Sequence, residues 1–227
     1  MHKITDGIIN LLRWPAAIYL LFSVPALIES YHYFNFYTFN FLLVGAGVLF
    51  FIFTILVSGS STRQSMQIIS HELTHMFFAF LTLHKAGCIR LNPDGSGGSM
   101  QLSGYGNWLI SLSPYFFPLF AFFYMLVMPF LAELTQSHWL LYAILGYFLA
   151  YHWLVVLTQV HLQQTDLIQE GFVFSGMIIL GANLFTTGFI LAFASKSWQG
   201  VKVFWLLANK LNLEYADKIY NLIAQNF

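Results

Sequence analysis

Six long stretches of this chain carry almost no charge, and they leave few architectures open. They run approximately 14–30, 40–57, 64–83, 107–131, 138–158 and 171–194. A bilayer has a hydrocarbon core about 30 Å thick, which takes about 20 apolar residues of helix to cross. Lipid offers no partner to open backbone groups, so such stretches fold as helices. Charged residues make up 8% of the 227 and hydrophobic ones 58%, whereas a soluble domain carries about 25% charged residues. A water-exposed surface is thereby excluded, and the abundant Phe, Tyr and Trp suit a lipid-facing exterior with amphipathic rings near the headgroups. The expected fold is all-α and polytopic, with about six transmembrane helices in a single membrane-embedded unit.

Two segments depart from that pattern. Between His84 and Gly106, Cys88-Ile89-Arg90-Leu91-Asn92 and Ser99-Met100-Gln101-Leu102-Ser103 alternate apolar with polar residues. Pro93-Asp94-Gly95-Ser96-Gly97-Gly98 lies between them, so a short β-hairpin is expected within 85–106. A plain extramembrane loop is the competing reading. At the other end, Val203, Leu207, Leu211 and Tyr215 recur at helical intervals among Lys202, Lys210 and Lys218. That pattern predicts an amphipathic tail helix in 196–227, lying on the membrane surface or docked on the protein. The unit therefore divides into two N-terminal spans (14–63), a core (64–195) holding the hairpin, and this tail. Lys3 and Arg13 precede a first span expected to be retained, since no small-residue cleavage pattern follows it.

Formal net charge is zero, with no basic run to attract nucleic acid. The single cysteine, Cys88, can form no internal disulfide. With six crossings, Lys3, Arg13, Arg63, Lys196, Lys202, Lys210 and Lys218 share one side, and only Lys85 and Arg90 fall opposite. That division places both termini in the cytoplasm, in a membrane expected to be a bacterial cytoplasmic one.

Chemistry enters with His71-Glu72-Leu73-Thr74-His75. Chance would produce this HExxH pattern in roughly 0.006 of chains of this composition. Residues four apart share a helix face, so the imidazoles of His71 and His75 can converge on one ion while Glu72 sits beside them as a general base. Ile68-Ile69 and Met76-Phe77-Phe78 flank the motif, and ionisable groups in so apolar a segment are costly unless they face a cavity or a metal. The bland alternative is a pair of histidines bonding between helices. A zinc site needs a third ligand, and Asp166, in the polar patch His161-Leu162-Gln163-Gln164-Thr165-Asp166-Leu167, is the first choice. His152, His161 and Glu170 remain contenders, while His84 lies nine residues past His75 and fits no metzincin spacing. A zinc ion so held would polarise a peptide carbonyl and activate water.

These residues, in this order, resemble the site-2 protease clan and its small M50B-like members across most of 64–176. The resemblance rests on His71-Glu72-Leu73-Thr74-His75 in an apolar helix, the turn Asn92-Pro93-Asp94-Gly95-Ser96-Gly97-Gly98, Ser113-Pro114-Tyr115-Phe116-Phe117-Pro118, and Gln164-Thr165-Asp166-Leu167. It implies zinc held by His71, His75 and Asp166, with Glu72 as catalytic base and transmembrane segments of other proteins as substrates. It further implies a hairpin lining the substrate path, with Asn92, Gly95, Gly97 and Gly98 as candidate contacts. The chain departs from larger members in lacking their Leu-Asp-Gly and Asn-x-x-Pro elements and a PDZ-like domain. That leaves oxyanion stabilisation to weak candidates, Asn107 and Asn183, which more often serve interhelical hydrogen bonds. Two other classes compete: a non-catalytic protein that holds transmembrane partners, and a metal or proton transporter lined by His71, His75, His152, His161 and Asp166. Six simple crossings also conflict with the ligand set, because they put His71 near one face of the membrane and Asp166 near the other.

Overall fold

The computed structural model describes residues 2–36, 38–91, 97–102, 104, 106–135 and 138–226. Helices α1 (His2–Leu11), α2 (Arg13–Phe22) and α3 (Val24–Ser30) lead through a 3-10 turn into α4 (Phe39–Val57) and α5 (Ser60–Leu81). Strands β1 (Ala86–Leu91) and β2 (Gly98–Leu102) follow, then α6 (Trp108–Leu112), α7 (Leu119–Leu134), α8 (His138–Gln159), the short α9 (Thr165–Glu170) and α10 (Phe172–Asn226). The protein is mostly helical with one small sheet, as the hydropathy and the alternation at 85–106 predict.

Among the described residues, three helices are long and apolar enough to cross a bilayer alone: Phe39–Val57, His138–Gln159 and the one beginning at Phe172. A fourth candidate is a bent pair, Trp108–Tyr115 with Leu119–Leu134, turned by 79°. The expected span at 107–131 is thus not straight. Pro114 and Pro118 lie at the bend, where proline removes backbone donors and clashes with the preceding turn. The expected span at 14–30 is divided at Ser23 into helices of 10 and 7 residues. The one at 64–83 falls in α5, 22 residues long but interrupted by Ser, Thr, Gln, His and Glu. Six full spans are therefore more than the helices support by length and composition.

Helix directions explain how the site is assembled. The Tyr151 hydroxyl of α8 donates to the Met66 carbonyl of α5 (2.8 Å) and lies 2.9 Å from the Ser70 hydroxyl. Nearer the end of α8, Thr158 and Gln159 share a cavity wall with Ser60 and Gln64, so α5 runs antiparallel to α8. So does α7, whose Phe120 meets Tyr151 and whose Tyr124 hydroxyl bonds the Leu141 carbonyl at 3.0 Å. Helices α5 and α7 consequently point the same way, and the hairpin with α6 provides the return between them. This removes the conflict raised by six simple crossings: the start of α5 and the end of α8 lie at one end of the bundle.

The core joins α4, α7, α8 and α10 around Val44, Met125, Leu145, Ile190 and Phe193. Backbones meet where α4 crosses α8. A Cβ at Gly47 would fall 1.8 Å from the Ala143 carbonyl oxygen, and one at Gly146 would fall 2.0 Å from that of Val44. Small residues give helices in lipid this close approach, where dispersion must replace the hydrophobic effect. Helix α10 breaks at Lys196 and Ser197, the latter at φ 53°, and residues 198–226 fold back so that Gly200 abuts the Ala192 carbonyl. The tail buries Val201, Phe204, Ala208 and Leu211 and ties to α2 and α3 through Asn212–Ser23 (3.0 Å) and Tyr215–Glu29 (2.7 Å). Of the expected stripe, Val203 is exposed and Leu211 buried. The buried face is rotated because Phe204 stacks on Tyr31 and Phe34.

Gly146→Val should force α4 from α8. Overpacking a tight contact costs about 1–3 kcal/mol, so thermal unfolding in detergent should show a clearly lowered midpoint, and an unchanged midpoint would contradict the backbone contact.

Candidate metal centre

Helix α5 turns one face inward, burying Gln67, Ser70, His71, Thr74, His75 and Phe78. Its hydroxyls are satisfied locally: Ser70 donates to the Gln67 carbonyl at 2.9 Å and Thr74 to that of Ser70 at 2.7 Å. The histidines are left to act at a distance from their own helix. Nδ1 of His75 lies 2.8 Å from the Ile110 carbonyl in α6. That oxygen can only accept, so Nδ1 carries the proton and the Nε2 lone pair points the other way. Among the described residues His71 Nδ1, which is buried, finds no hydrogen-bond partner, and its ring is held edge-on against Tyr115, 5.2 Å between centroids.

The Asp166 carboxylate completes the group. Helix α8 ends at Gln159, the chain turns, and α9 brings Asp166 back against α5. Nε2 of His71 and Nε2 of His75 are 3.1 Å apart, and Asp166 Oδ2 lies 3.5 Å from the first and 3.4 Å from the second. Tetrahedral zinc with bonds of 2.0–2.1 Å separates its donors by roughly 3.3–3.4 Å. The three spacings bracket that value, and two imidazoles with a carboxylate are a donor set zinc accepts. The residues fit the ion. Among the described residues this is the group of His, Cys, Asp and Glu close enough to hold a metal.

Tyr115 fixes the carboxylate, its hydroxyl donating to Asp166 Oδ2 at 2.9 Å. Burial alone would raise the Asp166 carboxyl, but the facing imidazoles of His71 and His75 outweigh it and hold the group below the ordinary carboxylate range. Glu72 is buried beside the pair, and the backbone N–H of Met100 in β2 donates to its carboxylate. Strand β2 comes this close because residue 98 is glycine: a Cβ there would lie 2.6 Å from Ile68 Cγ2 and 3.2 Å from Glu72 Cγ. The hairpin is antiparallel, pairing Ile89 with Met100 and Arg90 with Ser99. Glu72, His71, His75 and Asp166 all line a cavity of about 970 Å³, with Gly97, Gly98, Gln64, Gln67, Gln159 and Gln164 also on its walls.

The remaining candidates are placed elsewhere. His152 is buried with Nε2 2.9 Å from Asn183 Oδ1, and Glu170 pairs with Arg13 at 3.3 Å. His161 lines the cavity without joining the cluster. Asn183 donates to the Tyr115 carbonyl at 2.7 Å, and Asn107 caps α6 while donating to Asp6 at 2.7 Å, so neither amide is directed at the three donors. Gly97 and Gly98 are at the cavity wall, whereas Asn92 and Gly95 lie outside the described residues. Sequence reasoning missed the supporting groups, Tyr115 and the Ile110 carbonyl. Tyr115 stood in a quoted motif but with no polar pattern to mark its hydroxyl, and a backbone carbonyl leaves no trace in sequence.

Apolar spanning helices around a buried pair of imidazoles and a carboxylate define an integral membrane protein with a candidate metal centre. A family model described as Peptidase M50B-like matches residues 44–164, more than half of the chain, and the chain belongs to that family. The matched segment contains His71, Glu72 and His75 and stops two residues short of Asp166. No curated protein and no solved structure matches the chain.

Tyr115→Phe removes one hydroxyl and leaves the ring against His71. Loss of a partner that orients a ligand typically costs about 10–100-fold in metal affinity. Chelator competition on the purified protein should register a loss of about tenfold, with thermal stability little changed. Equal retention of zinc would show that the hydroxyl does not orient the carboxylate toward an ion.

Proposed function

We propose that the protein is a zinc-dependent intramembrane endopeptidase that cleaves transmembrane segments of other membrane proteins. The observation that carries this reading is the triangle of His71, His75 and Asp166 donor atoms at the wall of a polar cavity, with Glu72 beside it. His71, His75 and Asp166 would hold the ion, which would act as a Lewis acid and lower the pKa of water. In this reading Glu72, at the cavity wall, would take a proton from the attacking water and deliver it to the leaving amide nitrogen.

Two features suit an unwound peptide. In an antiparallel strand the N–H and C=O of one residue point the same way, and the Met100 N–H turns to Glu72 rather than to β1. The backbone edge of β2 therefore faces the cavity, where an extended substrate can add as a further strand. The glutamine side chains of the cavity wall offer both donors and acceptors to peptide groups that have lost their helical partners. Arg13 and Arg63 sit at the end of the bundle where α8 gives way to α9, and we assign that end to the cytoplasm, in a bacterial-type membrane.

One observation favours a second reading, a non-catalytic protein that holds transmembrane partners: Asn107 and Asn183 are both committed elsewhere, leaving no asparagine from that pair for the developing oxyanion. The transporter reading fares worse, since His152 is bonded to Asn183 and is set apart from the cluster.

Glu72→Gln keeps the shape of the side chain and removes the base. In detergent or proteoliposomes with a panel of tagged transmembrane substrates, the wild type should cleave and the variant should lose at least about a hundredfold of the rate, with zinc content unchanged. Equal cleavage would remove Glu72 as base, and a zinc-loaded wild type inert toward every substrate would favour the partner-holding reading.

A further inference from the structure

A second buried polar cluster lies beyond the metal centre, and it is built by a helix outside the family-matched segment. Asp6, on α1, is central to it. Its Oδ2 lies 3.1 Å from His84 Nε2, just past the end of α5, and its Oδ1 accepts from Asn107 Nδ2 at 2.7 Å. His84 has a fully buried side chain and is held on its other side by Thr82, 3.0 Å from Nδ1. The Trp108 indole donates to the Ile9 carbonyl at 2.7 Å, so α1 grips α6 at two adjacent residues.

The consequence runs along α6. Asn107 is the N-cap of that helix, its Oδ1 accepting from the Ile110 N–H at 3.2 Å. The same Ile110 presents its carbonyl to His75 Nδ1 at 2.8 Å. With five residues, α6 has too few internal hydrogen bonds to hold its position unaided. Buried Trp108, Ile110 and Leu112 seat it in the core, and at its start Asp6 orients the capping amide: donating Nδ2 to Asp6 leaves Oδ1 turned toward the Ile110 N–H.

We infer that α1 is a latch on the metal centre, with Asp6 a positioning residue that sets His75 through Asn107, α6 and the Ile110 carbonyl. The inference rests on the reading of His71, His75 and Asp166 as ligands. Releasing the latch loosens the hydrogen bond that fixes the tautomer and ring orientation of His75, and the ion is then held less tightly. The N-terminal helix thus gives this chain a means of setting metal retention from outside the HExxH helix.

The test exchanges donor and acceptor. In Asn107→Asp the cap oxygen persists but a carboxylate faces Asp6; in the double variant Asp6→Asn with Asn107→Asp the amide and carboxylate trade places and the contact is restored. Zinc retained by full-length protein in detergent against a fixed chelator is measured for wild type, Asp6→Ala, Asn107→Asp and the exchange. The visible spectrum of each cobalt-loaded form reports ligand geometry. Loss of a group that orients a ligand typically weakens metal binding about tenfold or more: Asp6→Ala and Asn107→Asp should release zinc about tenfold more readily with an altered cobalt spectrum, and the exchange should recover most of both. If Asp6→Ala does not fold, Asn107→Asp and its rescue carry the same comparison. Wild type that holds zinc no more tightly than either variant overturns the latch alone. A wild type that binds neither zinc nor cobalt overturns the metal centre and the latch with it.

Discussion

Two imidazole nitrogens and a carboxylate oxygen within 3.5 Å of one another, inside a protein whose exterior is lipid, are the constraint on which the rest of this fold depends. Unpaired polar groups in such surroundings cost several kcal/mol each, of the order of 2–7 for a neutral group without a hydrogen bond. Elsewhere in the protein that cost is offset locally: Ser70, Thr74 and Thr82 bond back to their own helix. The three donors turn toward one another instead of back to a helix carbonyl. A cation there would be shared by all three donors, and the polar cavity beside them opens onto the same point.

Bringing a carboxylate from α9 to a helix ninety residues earlier is a problem of direction as much as of chemistry. If each apolar stretch crossed the membrane once, parity would set Asp166 and His71 at opposite faces. The hairpin and the proline-bent α6–α7 pair change that parity, since together they return the chain without a straight span. The same return places β2 along Glu72, so the element that corrects the topology also presents an open backbone edge to the cavity. One insertion serves both ends, which is why a glycine at position 98 matters: any side chain there would lift the strand from α5.

Legibility in the sequence follows the range of the interactions. The HExxH spacing is local, so His71 and His75 fall on one helix face with Glu72 beside them from the residues alone, whereas the alternation around Pro93 to Gly98 points to a hairpin without excluding a plain loop. Asp166 could not be separated from His152, His161 and Glu170 by any local rule, because what distinguishes it is a tertiary approach; His152 and Glu170 proved to have other partners, Asn183 and Arg13. Six crossings are not borne out, for a related reason. Hydropathy measures how apolar a stretch is, not whether Pro114 and Pro118 bend it or Ser23 divides it. In the tail, the helical period was right and the phase was not, since the buried face is chosen by Phe204 against Tyr31 and not by the spacing of Val203 and Leu207.

Rigid and adjustable parts of the molecule are separated accordingly. Helices α4 and α8 meet backbone to backbone through Gly47 and Gly146, a contact with no side chain to rearrange, and α8 in turn holds α5 through Tyr151. His71 and His75 are therefore mounted on a stiff frame, but the groups that aim them are not part of it. Ile110 belongs to a five-residue helix and Asp166 to a six-residue one, and beyond the packing of Leu112 and Leu167 each short helix is held by a side-chain hydrogen bond: Asn107 to Asp6 in the first case, Tyr115 to Asp166 in the second. Small displacements of either would change how an ion is gripped without disturbing the core. Such an arrangement would let the affinity for a bound ion vary independently of fold stability, because the one would depend on these hydrogen bonds and the other depends on the packing of the core.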